Sequence, residues 1–172
     1  MPQAFLALVG GKVKQIWSIA VSVGAADAGK IPALGADGRL DATVMPAGIG
    51  ANTKVVPASE ALGAGKFVNF FDDTGTVKVR LADNSNNRPA HGFVLVAAAS
   101  AASATVYPLD VANTALSGLT PGAEHWLGTA GGVTETPLDA SLPANANKVN
   151  QLLGVATSAT ELRTDDYGYQ VL

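Results

Sequence analysis

Between Val13 and Val23 the chain alternates, with Val13, Gln15, Trp17, Ile19, Val21 and Val23 on one parity and Lys14, Ile16, Ser18, Ala20 and Ser22 on the other. A period of two predicts a strand, because successive side chains of an extended chain point to opposite faces. A helix would gather Ile16, Ile19, Ala20 and Val23 on one face, but β-branched residues dominate and no capping pattern precedes them. The alternation gives way at Gly24 to a stretch reaching Gly50, with Lys30, Ile31, Pro32, Ala33 and Leu34, turn residues Asp37 and Gly38, then Arg39, Leu40 and Asp41, and finally Met45, Pro46, Ala47 and Gly48. Proline cannot donate to a central ladder and the glycines interrupt any helix, so this stretch predicts an extended arm with at most one turn of helix near Asp41.

From Lys54 onward the pattern is one of closely spaced short strands. Lys66 to Phe71, a turn over Asp72, Asp73, Thr74 and Gly75, and Thr76 to Leu81 predict a hairpin. Its second strand sets Val77, Val79 and Leu81 against Lys78 and Arg80, which predicts one buried and one wet side. Further strands are expected at His91 to Ala97, Ala104 to Leu109, Glu124 to Leu127, Gly132 to Thr136, Val149 to Ala156, Ala159 to Arg163 and Tyr167 to Leu172, separated by loops holding Pro121, Gly122, Pro137 and Pro143. With no amphipathic helix between them, the fold class is mainly β: a small antiparallel β-barrel or sandwich over residues 54–172, preceded by an N-terminal strand and extended arm over residues 1–53.

Composition narrows the function classes. Of the 172 residues 48% are hydrophobic and only 15% charged, against roughly 25% charged in an ordinary soluble domain. A net charge of −3, with eleven Lys and Arg scattered along the chain, offers no basic field to collect phosphates, so no nucleic-acid partner is expected. Much of the apolar fraction is Ala, and there are 19 Gly, which favours tight turns and close backbone approach over a large core. Cysteine is absent, which excludes a disulfide-stapled scaffold. The apolar start from Ala4 to Val9 has Lys12 and Lys14 after it instead of before it, unlike a signal segment, and no stretch is long enough to span a bilayer as a helix, so no membrane partner is expected.

Candidate chemistry is sparse. Gly63, Ala64, Gly65 and Lys66 superficially suggest a phosphate loop, but Phe67 stands where a magnesium-holding Ser or Thr belongs and Glu60 where the leading Gly belongs. Asp83, Ser85 and Asn87 have the spacing of calcium-loop ligands, yet Arg88 occupies the glycine position and Val94 that of the bidentate acid. His91 and His125 are far apart and read as strand-end hydrogen-bonding residues. No nucleophile elbow accompanies the serines, and two histidines give little material for a triad. The expectation is a non-enzymatic protein with no catalytic, metal or cofactor site. Trp17, Trp126, Tyr107, Tyr167 and Tyr169 are read as core or subunit-contact aromatics; the competing reading is a carbohydrate-binding module in which Trp126 and Tyr107 stack on sugar rings.

The arm from Gly29, Lys30, Ile31, Pro32, Ala33, Leu34, Gly35, Ala36, Asp37, Gly38, Arg39, Leu40 and Asp41 to Met45 and Pro46 resembles a connector that recurs in structural proteins of tailed bacteriophages. Patches at Ala61 to Asn69, Ala90 to Val94, Leu116 to Gly122, Gly131 to Thr134 and Gly154 to Leu162 resemble phage head-decoration and fibre modules. The resemblance implies a virion structural protein, first a capsid decoration, or cement, protein on the outer head lattice. Its implied partners are the major capsid protein and further copies of itself, as a homotrimer, and its location is the outer capsid surface after synthesis in the host cytoplasm. The alternative is a tail-fibre, needle or receptor-binding component. Independently, a charge-poor arm suits repeated protein contacts, with Trp17, Ile19, Val21, Lys30, Ile31, Pro32, Leu34, Arg39, Leu40 and Met45 as the expected contact residues.

Overall fold

The computed structural model describes residues 4–36, 38–45 and 52–172. Asp37 and the end of the expected arm, Pro46 to Gly50, lie outside the described residues. The chain divides into two compact units, Met1–Gly50 and Ala51–Leu172.

The first unit is built on an antiparallel hairpin, β1 (Ala4–Val9) and β2 (Lys12–Trp17), in register from Ala4 opposite Trp17 to Val9 opposite Lys12. Gly10 and Gly11, at φ +59° and +76°, form its two-residue loop, a left-handed pair that only small flexible residues adopt at little cost. The strand expected over Val13 to Val23 ends at Trp17, which pairs with Ala4, the first described residue of β1. Ile19 keeps only a bridge to Pro32, accepting from the Ala33 amide at 2.7 Å. Val21 and Val23 lie in irregular chain leading to a 3₁₀ turn, Ala25–Asp27, whose Asp27 carboxylate accepts from the Val23 amide and from Lys30 Nζ. A second 3₁₀ turn, Ala42–Val44, follows Asp41, and the Ser22 amide donates to Thr43 Oγ1. The arm thus folds back on itself locally instead of running extended throughout.

The second unit is mainly β, with two five-stranded antiparallel sheets. One, in the order β3-β7-β6-β4-β5, contains β3 (Lys54–Pro57), β4 (Phe67–Asp73), β5 (Thr76–Leu81), β6 (Gly92–Val94) and β7 (Ser103–Tyr107). The other, in the order β10-β9-β12-β13-β8, contains β8 (Ala112–Asn113), β9 (Glu124–Leu127), β10 (Val133–Thr134), β12 (Leu152–Ala156) and β13 (Leu162–Thr164). A small ribbon pairs β11 (Val149–Asn150) with β14 (Gln170–Val171). Both large sheets are open, so of the expected barrel or sandwich it is the sandwich that forms. Closure requires tilted strands laddered on both edges, and the edge strands β8 and β10 are only two residues long.

Alternation on β4 places Phe67 and Val68 in different cores. Phe67 and Phe93 pack between the sheets with Leu127, Leu153 and Leu162, and Val68, Val79, Val94 and Val106 form a second cluster with Val56 and Leu62. The first sheet is therefore buried on both faces. On β5, Val79 is fully buried but Val77 is exposed, and the side expected to be wet is half-buried, since Arg80 lies over the Phe71 ring at 4.4 Å and donates Nε to Asn69 Oδ1. The run Val149 to Ala156 is interrupted at Gln151, whose carbonyl still accepts the Leu127 amide while its side chain serves Ala90 ahead of β6.

That exchange recurs. Gln151, buried, accepts the Ala90 amide on Oε1 at 2.7 Å and donates Nε2 to the Ala90 carbonyl at 2.9 Å. Asn113 donates to the Gly65 carbonyl and Asn84 to the Leu127 carbonyl. Gly65 sits at φ +75°, and any Cβ there would collide with the Ala115 carbonyl, so glycine in the Gly63 to Lys66 segment serves backbone approach. No described buried side-chain polar atom lacks a partner. Orphaning a buried donor or acceptor costs about 1–3 kcal/mol each. Gln151→Ala orphans two and is expected to lower stability by roughly 2–6 kcal/mol. Urea unfolding checks this, with exposed Val155→Thr expected to stay within about 0.5 kcal/mol of the parent.

Candidate functional site

Three clefts adjoin one another on the second unit. The first, of about 480 Å³, is lined by His91, Leu109, Asp110, Asp166 and Tyr169 among others. The second, of about 420 Å³, lies between Trp126, Asn150, Tyr167, Tyr169 and Gln170. Gly168 and Tyr169 border both. A third, of about 210 Å³, is reached past His91 and Pro108 and holds Lys54, Phe70 and Tyr107.

These walls are placed by local necessity. Trp126 is on β9, opposite Leu152 and Thr134, so its indole leaves the inter-sheet core to the buried neighbours His125 and Leu127. The segment from Asp165 to Tyr169 carries Tyr167 and Tyr169 outward, 55% and 51% exposed, before Gln170 returns to pair with Asn150. Gly168, at φ +71°, allows the turn that the Asp166 carboxylate fastens by accepting the Gly168 amide. Tyr107, by contrast, stacks on Phe93 with centroids 5.7 Å apart, so it and Trp126 do not form the single platform that the carbohydrate reading of the sequence supposed.

His91 borders two clefts with a fixed polarity. Its Nδ1 lies 3.1 Å from the Phe70 amide nitrogen and accepts that proton, and its ring stacks on Phe70 at 6.2 Å. Partial burial lowers its pKa, opposed by the nearby Asp166 carboxylate. Asp83 is employed internally: burial raises its pKa, but hydrogen bonds from Ser85 and the Ala130 amide outweigh this and hold it below the ordinary carboxylate range. That carboxylate fixes its own turn and the loop at Ala130. His125, buried, approaches the Ala123 carbonyl through Nδ1 at 3.1 Å and Glu135 through Nε2 at 3.6 Å.

In the first unit, directly opposed residues share a face, which puts Leu6, Leu8, Val13 and Trp17 together at 73%, 73%, 68% and 55% exposure. None of the described apolar side chains of that unit is buried. Of the expected contact residues, Val21, Ile31, Leu34, Leu40 and Met45 are exposed apolar groups as well. Ile19 and Pro32 are joined by their bridge, and Lys30 pairs with Asp27 at 2.6 Å. Arg39 lies at the turn closed by the Gly35 amide donating to its carbonyl.

No protein-family model matches the chain, and no curated protein matches it. Among solved structures it is similar to the head fiber gp8.5 N base of bacteriophage phi29, at 11% identity and a TM-score of 0.43, over 66% of this chain and 92% of that one.

Reading the sequence alone missed Leu6 and Leu8 as surface residues, although Gly10-Gly11 between two apolar runs is a hairpin signal that would have found them. It also missed the convergence of Trp126 with Tyr167 and Tyr169, which are about forty residues apart in the chain. A histidine whose folded pKa lies below its unfolded value binds fewer protons in the native state, so stability falls as pH drops through the ordinary histidine range near about 6.5 toward the lower folded value. For His91 the expected outcome is an NMR titration midpoint below that range. Replacement by Gln, whose carbonyl can still accept from Phe70, is expected to flatten the pH dependence of the urea midpoint over that window.

Proposed function

We propose that this chain is a structural subunit of a tailed-bacteriophage particle, specifically a capsid decoration protein that attaches to the outer head lattice through its first unit. The observation that carries the proposal is the unsatisfied hairpin face. Leu6, Leu8, Val13 and Trp17 lie side by side in water, and no described apolar side chain of that unit reaches burial. A lone two-stranded hairpin is marginal in water, and units this small ordinarily need a metal, disulfides or a partner for stability. Cysteine is absent from the sequence. A protein partner, supplied by the shell, by further copies of the chain or by both, is what this surface lacks. Covering each of the four side chains would contribute on the order of 1.5–3 kcal/mol before ordering costs.

The phage assignment rests on the resemblance of the Lys30 to Pro46 arm to connectors in tailed-phage structural proteins, fibres included, and of the Gly-rich and Ala-rich patches to head-decoration and fibre modules. Binding to assembled shell but not to its free subunits would stabilise the shell by mass action, on the order of 3–4 kcal/mol per site at free concentrations of a hundred to a thousand times the dissociation constant. A homotrimer would attach with added avidity.

Deleting residues 1–53 is expected to abolish binding to purified heads in co-sedimentation, and Leu6→Asp with Leu8→Asp in the full chain to weaken it at least tenfold while the second unit's urea midpoint stays unchanged. Undiminished binding of the truncated chain would refute the attachment surface.

A further inference from the structure

We propose that the joined clefts at Trp126, Tyr167 and Tyr169 bind a neutral oligosaccharide. This does not depend on the virion assignment, since every residue involved belongs to the second unit.

Each cleft falls within the roughly 300–1,000 Å³ of small-ligand sites, and their common border at Gly168 and Tyr169 makes them successive stations for a chain of rings. Three aromatic side chains supply π faces, and a pyranose presents a matching apolar C–H face. The polar groups beside them are mixed in character and unspent. Asn150 Oδ1 accepts the Leu138 amide, which leaves Nδ2 to donate, and the Asp110 carboxylate, the Gln170 amide, Trp126 Nε1 and the tyrosine hydroxyls have no partner among the described residues.

Charge and hydrogen-bond supply decide the ligand class. No Lys or Arg lines either cleft, while Asp110 and Asp166 do, so anionic sugars and phosphates are disfavoured. Proline-rich peptides also dock on aromatic grooves, but they offer few donors to two carboxylates. Vicinal hydroxyls donate and accept at once, and bonds to an ionised acceptor are the stronger kind.

The experiment applies the full chain to an array of neutral and acidic oligosaccharides and of oligoproline peptides, then titrates the best binder. In a Trp17→Phe background Trp126 is the sole tryptophan, so its emission reports occupancy of the cleft. The expected result is binding of neutral glycans with a shift in Trp126 emission, weakened at least tenfold by Tyr169→Ala and by Gln170→Ala. Both positions are exposed, so the thermal midpoint is expected to stay within a few degrees. An array without neutral-glycan signal, a preference for oligoproline, or glycan binding indifferent to Tyr169→Ala would each overturn the proposal.

Discussion

The second unit depends on buried side-chain amides that stand in for missing backbone partners between its two sheets. Its strands are short, and several end at Pro or Gly before their neighbours do, so backbone groups would be left bare in the interior. Gln151 meets this by offering both of its functional groups to Ala90, reproducing across the sandwich the paired bonds of a β-bridge. Asn113 serves Gly65, Asn84 serves Leu127, and the Thr164 hydroxyl serves the Val111 carbonyl. A half-satisfied polar interior is worse than an apolar one, whereas a complete one fixes a single arrangement. This is how a core of modest side chains, many of them Ala and Val, specifies one register.

The clefts inherit their shape from the same bonds. Ala90, held by Gln151, precedes His91, and the His91 ring is fixed in turn by the Phe70 amide. Asn150, adjacent to Gln151, pairs with Gln170 and so anchors the segment that presents Tyr167 and Tyr169. The aromatic wall is therefore carried on strand ends braced by the interior, an arrangement more exact than a free loop would provide.

Much of this organisation was legible in the sequence where the local signal and the tertiary outcome agree. The pattern gave the β4–β5 hairpin, although Asp72 and Asp73 of the expected turn continue β4 and leave only Thr74 and Gly75 as the loop, and Glu124 to Leu127 is β9 as expected. It failed over Val13 to Val23, which alternates throughout, yet among the described residues β2 ends at Trp17 and beyond it Ile19 makes a single bridge to Pro32. It failed again at Gln151, because a polar residue inside an apolar run carries no local mark of the backbone it will serve sixty-one residues away. The aromatic cleft was invisible for the same reason. Trp126 and Tyr169 meet through pairing of β11 with β14, which periodicity cannot foresee.

The two units answer the shortage of charge in opposite ways. In the second, a buried apolar core forms and the described buried polar side-chain atoms, most of them amides, all find hydrogen-bond partners. In the first, the hairpin interleaves Leu6, Leu8, Val13 and Trp17 without burying any of them. These apolar residues share one face of a small folded element, and the lysines of β2, Lys12 and Lys14, lie on the opposite face. An exposed hairpin also carries two unpaired edges, and soluble proteins ordinarily protect such edges with charge or cover. Here Lys12 and Lys14 sit on one strand alone, and β1 has no charged residue from Ala4 to Val9. Among the described residues the edge of β1 thus lacks the charge that ordinarily guards such an edge.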